Sequence, residues 1–235
     1  MNFTLYDYAM SGNCYKIRLF ASILDVEYER IAVEFYPAAE HKSYKMLQLS
    51  RAGTLPILKS GDMILSETSA MLFWMAQKFD SFENWWPAKR GADLNALILQ
   101  WMDFSSQLSK TVGRARLNAL FQTPVDLDKA IEGARRALRQ IESHLTEQSF
   151  DDKKFLVSDK PTIADIACFP YVALSPDVGA NLGLEHDGYP AIQSWLYSIK
   201  SLDGFIPMPG IYPMHDLTAD ETDFAENRPA TGKVG

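Results

Sequence analysis

Apolar and polar positions alternate at the start of the chain, where Phe3 and Leu5 flank Thr4 and predict a first strand over 2–6. After a loop at Ala9 to Ser11 the apolar spacing becomes helical, through Ile17, Leu19, Phe20, Ile23 and Leu24. Alternation returns at Ile31, Val33 and Phe35, a second strand. Strand, helix and strand at this spacing make a βαβ unit, with parallel strands and a right-handed crossover expected. His41 to Leu49 predicts a short helix. Leu55 to Leu58 and Met63 to Leu65 are short apolar runs around the turn residues Ser60, Gly61 and Asp62, which predicts a β-hairpin. A helix follows, started by Ser66 with Glu67, Thr68 and Ser69 in its first turn, and carrying Ala70, Met71, Phe73, Trp74 and Met75. The order β-α-β-α-β-β-α describes a small α/β domain over residues 1–80.

Between 81 and 91 the pattern lapses into polar and aromatic residues with a proline, the composition of a linker. The rest, over 92–210, predicts an all-helical domain. Leu94, Leu97, Trp101, Phe104 and Leu108 mark one long amphipathic helix reaching about Leu120. Thr123 as N-cap, Pro124 at the first position and Asp126 and Asp128 in the first turn start the next, with Leu127, Ile131, Ala134, Leu138, Ile141 and Leu145 on its apolar face. Thr162 and Asp165 have the spacing of a capping box, and Pro170 is expected to kink or shorten the helix behind it. A last helix from Tyr189 carries Ile192, Trp195, Leu196 and Ile199. Residues 211–235, proline-rich and then acidic, predict an extended tail.

Composition narrows the function classes. A formal charge of -7 without a basic cluster argues against nucleic acid as a partner. Cys14 and Cys168 are too few for a disulfide framework, and four scattered histidines make no zinc pattern. No apolar run is long enough to cross a bilayer, and the N-terminus lacks the basic and apolar regions of a signal peptide, so a cytoplasmic location is expected. Two places carry possible chemistry. Pro56 opens a strand to which it can donate no hydrogen bond, which suits an edge or a special turn such as a cis bond. The helix after the hairpin opens with free N–H groups and hydroxyls, a ready seat for a carboxylate.

An α/β domain of this order joined to a helical one resembles the glutathione S-transferase family, and residues carry the likeness as well as element order. Ser11-Gly-Asn13-Cys14-Tyr-Lys-Ile-Arg18 is similar to the loop and helix start that hold the catalytic hydroxyl or thiol in the serine- and cysteine-type classes. His41-Lys42, then Leu47, Leu49 and Gly53-Thr-Leu-Pro56, resembles the family's H-K-x-x-x-x-L-x-L-N-P-x-G-x-V-P. Glu67-Thr68 stands where the family has Glu-Ser, while Phe155-Leu-Val, Thr162-Ile-Ala-Asp165 and Tyr189-Pro-Ala-Ile-x-x-Trp195 resemble its helical domain. The pieces fall in the family's order over about residues 3 to 210. Ser50-Arg51 departs from the family's Asn-Pro, Thr68 from Ser, and Thr54 from the glutamine or lysine often found before Val-Pro.

The resemblance implies a thioredoxin-like domain followed by a helical bundle, glutathione as cosubstrate, and a homodimer acting in detoxification on a small hydrophobic electrophile. Such an enzyme must make a thiolate at neutral pH, which means lowering a pKa of about 8.5 by about two units, or roughly 2.7 kcal/mol. A hydrogen bond from the Ser11 hydroxyl, aided by Asn13 and the positive end of the helix there, has the right size at roughly 1.5 to 3 kcal/mol. Taken alone, the loop favours Ser11 as a plain N-cap and Asn13 as a turn residue, and the hairpin with Glu67-Thr68 reverses that preference. Cys14 is the rival nucleophile, three residues on, although that position usually faces inward. Tyr6 and Tyr8 fall outside the register of the family's catalytic tyrosine. Glu67 would pair with the γ-glutamyl amine and Thr68 with its carboxylate, although residues of these types would cap a helix in any protein. The backbone of Leu55, held by Pro56, would pair with the cysteinyl unit as an added strand, with Thr54 beside it. His41 or Lys42 would reach the glycyl carboxylate, or else be ordinary surface residues. Met10, Trp101 and Phe104 are candidates to border the electrophile, with core packing the favoured reading for the last two. Glutathione-dependent disulfide reduction and a non-catalytic interaction module are the competing functions.

Overall fold

In the computed structural model, which describes residues 2–182 and 188–212, four strands form one sheet in the order β2-β1-β3-β4. β1 (Thr4–Asp7) lies parallel to β2 (Glu29–Ala32) and antiparallel to β3 (Ile57–Ser60), which pairs antiparallel with β4 (Met63–Leu65). α1 (Gly12–Ile23) links β1 to β2, α2 (Tyr44–Leu49) precedes β3, and α3 (Thr68–Phe79) follows β4. This is the element order that the periodicities predict. Leu5 and Leu58 point into the core shared with Ile17, Leu19, Met71 and Met75 of α1 and α3. On the other side of the sheet Cys14, Val33, Met46, Leu55 and Ile57 form a smaller cluster under α2.

Local boundaries differ from the expected ones for physical reasons. β2 makes its last sheet contact where Val33 N–H donates to Asp7 O at 2.8 Å, and Phe35 turns away to stack on His41, so Phe35 is not a strand residue. The 41–49 helix is split. A 3-10 turn over Glu40–Lys42 ends at Ser43, whose extended backbone and Oγ, accepting from Met46 N–H, start α2 anew. β3 begins at Ile57 rather than Leu55, after a cis Leu55–Pro56 bond. The chain stays extended through Glu67, which replaces Ser66 as the N-cap of α3 without a side-chain hydrogen bond.

The connection over 81–91 is packed rather than loose. Trp85 and Trp86 are buried, edge-on to Phe20 and Phe73 at 5.2 and 5.0 Å, and Asp80 Oδ2 accepts from Trp85 N–H. One apolar core therefore runs from the sheet into the helices. The expected long helix is α4 (Ala92–Leu108) and α5 (Arg114–Phe121) joined by a π-turn over Ser109–Gly113. Close approach explains the turn's composition: a Cβ on Gly113 would lie 2.8 Å from the Tyr171 ring. α6 (Leu127–Ser149) is capped by Asp126, not Thr123, because Asp126 Oδ1 accepts from Lys129 N–H. α7 (Ile163–Ala173) starts with the expected capping box of Thr162 and Asp165 and continues three residues past Pro170, neither stopped nor shortened there. α8 (Pro190–Lys200) begins against Glu142 of α6, whose carboxylate accepts from Ala191 and Ile192 N–H. Of the tail, Ile211 is buried and bridges to Met208, while 213–235 lie outside the described residues.

α1 carries an unusual burden. Lys16 is 1% exposed beneath α7, its ammonium 5.2 Å from the centre of the Tyr171 ring, and burial holds its pKa down at about 8. An unfolded lysine titrates near 10.4, so the unfolded chain binds the proton more tightly and burial of the charge destabilises the fold at neutral pH. Lys16→Met, close in volume, is expected to raise the melting temperature at pH 7 by roughly 2–6 °C. The gain should be complete below pH 8 and fade as pH rises towards 10.4. Thermal melts across that range check it; a variant less stable at every pH would show that the charge is no liability.

Candidate active site

The C-terminal end of β1 is fixed by charge. Asp7 is fully buried between Arg18 of α1 and Arg30 of β2, whose Nε donates at 2.6 Å. Arg18 also donates to the carbonyls of Tyr8 and Ala9 at 3.3 and 2.9 Å, which holds the loop that leads to Ser11. Ser11 N–H donates to Tyr8 O, and Ser11 Oγ accepts from Cys14 N–H at 3.2 Å, so Ser11 is the N-cap of α1. This bond uses an acceptor site and leaves the hydroxyl proton for another partner. Ser11 is half-buried at the positive end of a helix with no acidic residue in its first turn.

Cys14, one turn inside, is sealed. Its Sγ accepts from Tyr8 N–H at 3.4 Å, and burial, reinforced by the Asp7 charge, pushes its thiol up to about 12. Asn13 turns away from Ser11. Its Nδ2 donates to Ser109 Oγ of the π-turn at 3.4 Å, and its buried Oδ1 has no partner among the described residues. Trp101 and Phe104 pack edge to face inside the helical core, the favoured of their two expected roles, and not at the border of the site. Met10 is half-buried and directly precedes Ser11 in the chain. Burial raises the Tyr8 hydroxyl, and Arg116 acts against that rise. Tyr6 sits half-buried against the small cluster under α2.

β3 and β4 bring the remaining candidates to the same end of the sheet. Ile57 pairs with Tyr6, so Leu55 and Pro56 continue past the end of β1, and Leu55 shares its cluster with Cys14. Leu55 is joined to Pro56 by a cis bond, and neither its N–H nor its C=O has a hydrogen-bond partner among the described residues. Leu58 pairs with Leu65 as the last pair of the hairpin, and Glu67 follows two residues beyond it, at the end of the sheet from which Pro56 enters β3. Glu67 is exposed with its carboxylate not engaged in capping, and Thr68 opens α3 beside it. Gly53, at φ +57°, passes Lys42 and His41 closely enough that a Cβ would lie 3.8 Å from His41 O. Lys42 and Thr54 are exposed. His41 is buried instead, stacked on Phe35 at 4.3 Å with its pKa lowered by burial and then by Lys42, and its Nδ1 unpartnered among the described residues.

Two features of the site come from the helical half, where no sequence motif marks them. Phe121, at the end of α5, stacks on Tyr36 at 4.8 Å and touches Phe35 and Tyr8. Arg116, also on α5, reaches the Ser11 loop through Met10 O. In sequence Arg116 is one of two arginines two residues apart on a helix, with nothing to single it out.

Comparison with known proteins gives this arrangement a family. Residues 1–77 match the model of the glutathione S-transferase N-terminal domain, and residues 96–203 that of the C-terminal domain. The chain belongs to the glutathione S-transferase family. Human glutathione S-transferase theta-2 is 27% identical over 170 residues, which is 70% of this chain and 67% of that protein. Chicken glutathione S-transferase theta-1 is 25% identical over 87% of this chain and 85% of its own. Among solved structures, a glutathione S-transferase from Pseudomonas fluorescens superposes with a TM-score of 0.76 at 26% identity, over 88% of this chain and 99% of that one. As a glutathione S-transferase the chain has glutathione as its cosubstrate, and its two halves are the thioredoxin-like and helical domains of that family. Among the described residues of this transferase no helix is long and apolar enough to cross a membrane.

Proposed function

We propose that the protein activates the glutathione thiol through the Ser11 hydroxyl for attack on a hydrophobic electrophile. The observation that carries this reading is the division of labour at the start of α1: Ser11 Oγ accepts from Cys14 N–H and keeps its own proton to donate, while Cys14 is buried with its thiol held at about 12. A sulfur anion placed at Ser11 would receive that hydrogen bond together with the helix dipole. A cysteine-based disulfide exchange would need the thiolate of a group that is sealed and protonated.

The peptide part of glutathione then lies along the end of the hairpin. Its cysteinyl backbone pairs with the free N–H and C=O of Leu55, in the manner of an added strand. Its γ-glutamyl carboxylate meets Thr68 and the α3 N-terminus, and its amine meets Glu67. Lys42, exposed beside Gly53, is the better partner for the glycyl carboxylate, because His41 lies beneath Phe35. The electrophile enters beside Met10, against the aromatic pair of Tyr8 and Phe121.

The same reading makes the protein a cytoplasmic homodimer. Ile64 on the edge strand β4, Phe73 on α3, and Leu97 and Leu99 on α4 are large apolar residues left exposed in one chain. Sedimentation is expected to give twice the chain mass, and a monomer at micromolar concentration would remove this part. The mechanism is tested by Ser11→Ala and Cys14→Ser, each assayed for conjugation and for reduction of a glutathionyl disulfide. Loss of both activities in the first and retention in the second is the expected result; the reverse would assign the chemistry to Cys14.

A further inference from the structure

The helical domain brings one cation, Arg116, to the loop that carries Ser11. Arg116 is 4% exposed on α5 and makes two hydrogen bonds: Nη1 donates to Met10 O at 2.7 Å, and Nε donates to Asp177 Oδ2 at 3.2 Å. Its Nη2 is buried without a partner among the described residues. A buried guanidinium N–H with no acceptor is costly to leave so. The carbonyl it does reach belongs to the residue directly before Ser11. Because Asp177 takes the Nε edge and is partly exposed, the pair forms a dipole whose positive end faces the Ser11 loop. We propose that Arg116 is a positioning residue of the transferase reaction, one that fixes the Met10–Ser11 peptide from the opposite domain and whose charge favours the glutathione thiolate over the thiol. The proposal rests on the reading of Ser11 as the thiolate's hydrogen-bond donor.

Other charges near the loop do not supply this field. Arg18 is committed to buried Asp7, which Arg30 also contacts. Lys16 lies under Tyr171 on the inner face of α1. Tyr8, Cys14 and Tyr171 are all pushed up by burial and stay protonated, and Arg116 opposes the rise at both tyrosines. Glu34 acts on Tyr8 with the opposite sign, as does Asp177 on the guanidinium. A charge held at the loop by the 2.7 Å bond to Met10 O favours the thiolate, and the Asp177 and Glu34 carboxylates reduce that effect, so a net shift of about one pH unit is expected.

The test reads the ultraviolet absorbance of the thiolate in the enzyme–glutathione complex as a function of pH. Arg116→Met is expected to raise the bound thiol's pKa by about one unit, so kcat falls about tenfold on the acid side and recovers at alkaline pH while KM for glutathione changes little. Arg116→Lys, which keeps the charge, should give less than half that shift, and Asp177→Asn, which removes the neutralising partner, should lower the pKa. These two variants keep the test open if Arg116→Met does not fold. An unchanged thiol pKa in Arg116→Met and Asp177→Asn, with Ser11→Ala raised, would overturn the role of Arg116 alone. An unchanged value in Ser11→Ala as well would remove the Ser11 reading beneath it.

Discussion

Ser11→Ala is expected to lower conjugation at pH 6.5 by about 10- to 100-fold. A hydrogen bond to an ionised group contributes roughly 1.5 to 3 kcal/mol, or one to two pH units in the thiol's pKa. The loss should shrink as the pH rises through the variant's raised thiol pKa, because the thiolate then forms without help. Ser11 is also the N-cap of α1, so alanine removes two things at once. Ser11→Gly separates them. Glycine is tolerated at an N-cap to within a few tenths of a kcal/mol, while alanine costs about 1. Both variants should therefore lose equal activity, but only alanine should lose stability. Activity within twofold of the parent at pH 6.5, or a loss that does not diminish at pH 9, would remove the hydroxyl from the mechanism.

This dual use of one oxygen marks how far the sequence could be read. Ser11-x-x-Cys14 identifies a helix start, and the hairpin with Glu67-Thr68 turns it into a site, because each piece is local and recurs at fixed spacing. What stayed hidden depends on parts of the chain that are distant in sequence. Asn13, two positions from Ser11 in sequence, bonds to Ser109, ninety-six positions away, on a π-turn that no periodicity announces. Arg116 lies a hundred and six positions from the carbonyl it holds. His41 reads as a surface residue until Phe35 leaves the sheet to cover it. N-caps are ambiguous in sequence for a different reason: Ser66, Glu67 and Thr68, like Thr123 and Asp126, are polar candidates within a few positions of one another, and the backbone path chooses among them. The packed connection at Trp85 and Trp86 resembles a linker in composition because its aromatic residues are interleaved with polar ones, and burial is decided by Phe20 and Phe73 on other elements.

The largest loss of stability is expected from Asp165→Ala. Asp165 is fully buried, and its carboxylate accepts from Leu156 N–H, Thr162 N–H, Thr162 Oγ1–H and Trp195 Nε1–H at 2.8 to 3.1 Å. One side chain thus joins the loop before α7, the N-terminus of α7 and the indole of α8. Alanine would leave three buried N–H groups unpaired, at about 1–3 kcal/mol each with incomplete additivity, so a total of about 3–5 kcal/mol is reasonable. In a chain of this size that is a fall of on the order of 10 °C in melting temperature. Asp165→Asn keeps one acceptor but turns an amide N–H towards the donors of Thr162, and should fall between the alanine variant and Thr162→Ala, which loses one cap at about 1 kcal/mol. The damage should reach the site, because α7 also carries Tyr171, whose ring lies 3.1 Å from where a Cβ on Gly12 would stand, next to Ser11. Thermal unfolding of the three variants checks the order. An Asp165→Ala protein within about 1 kcal/mol of the parent would mean that water satisfies these donors, and that the box guides the fold without holding it together.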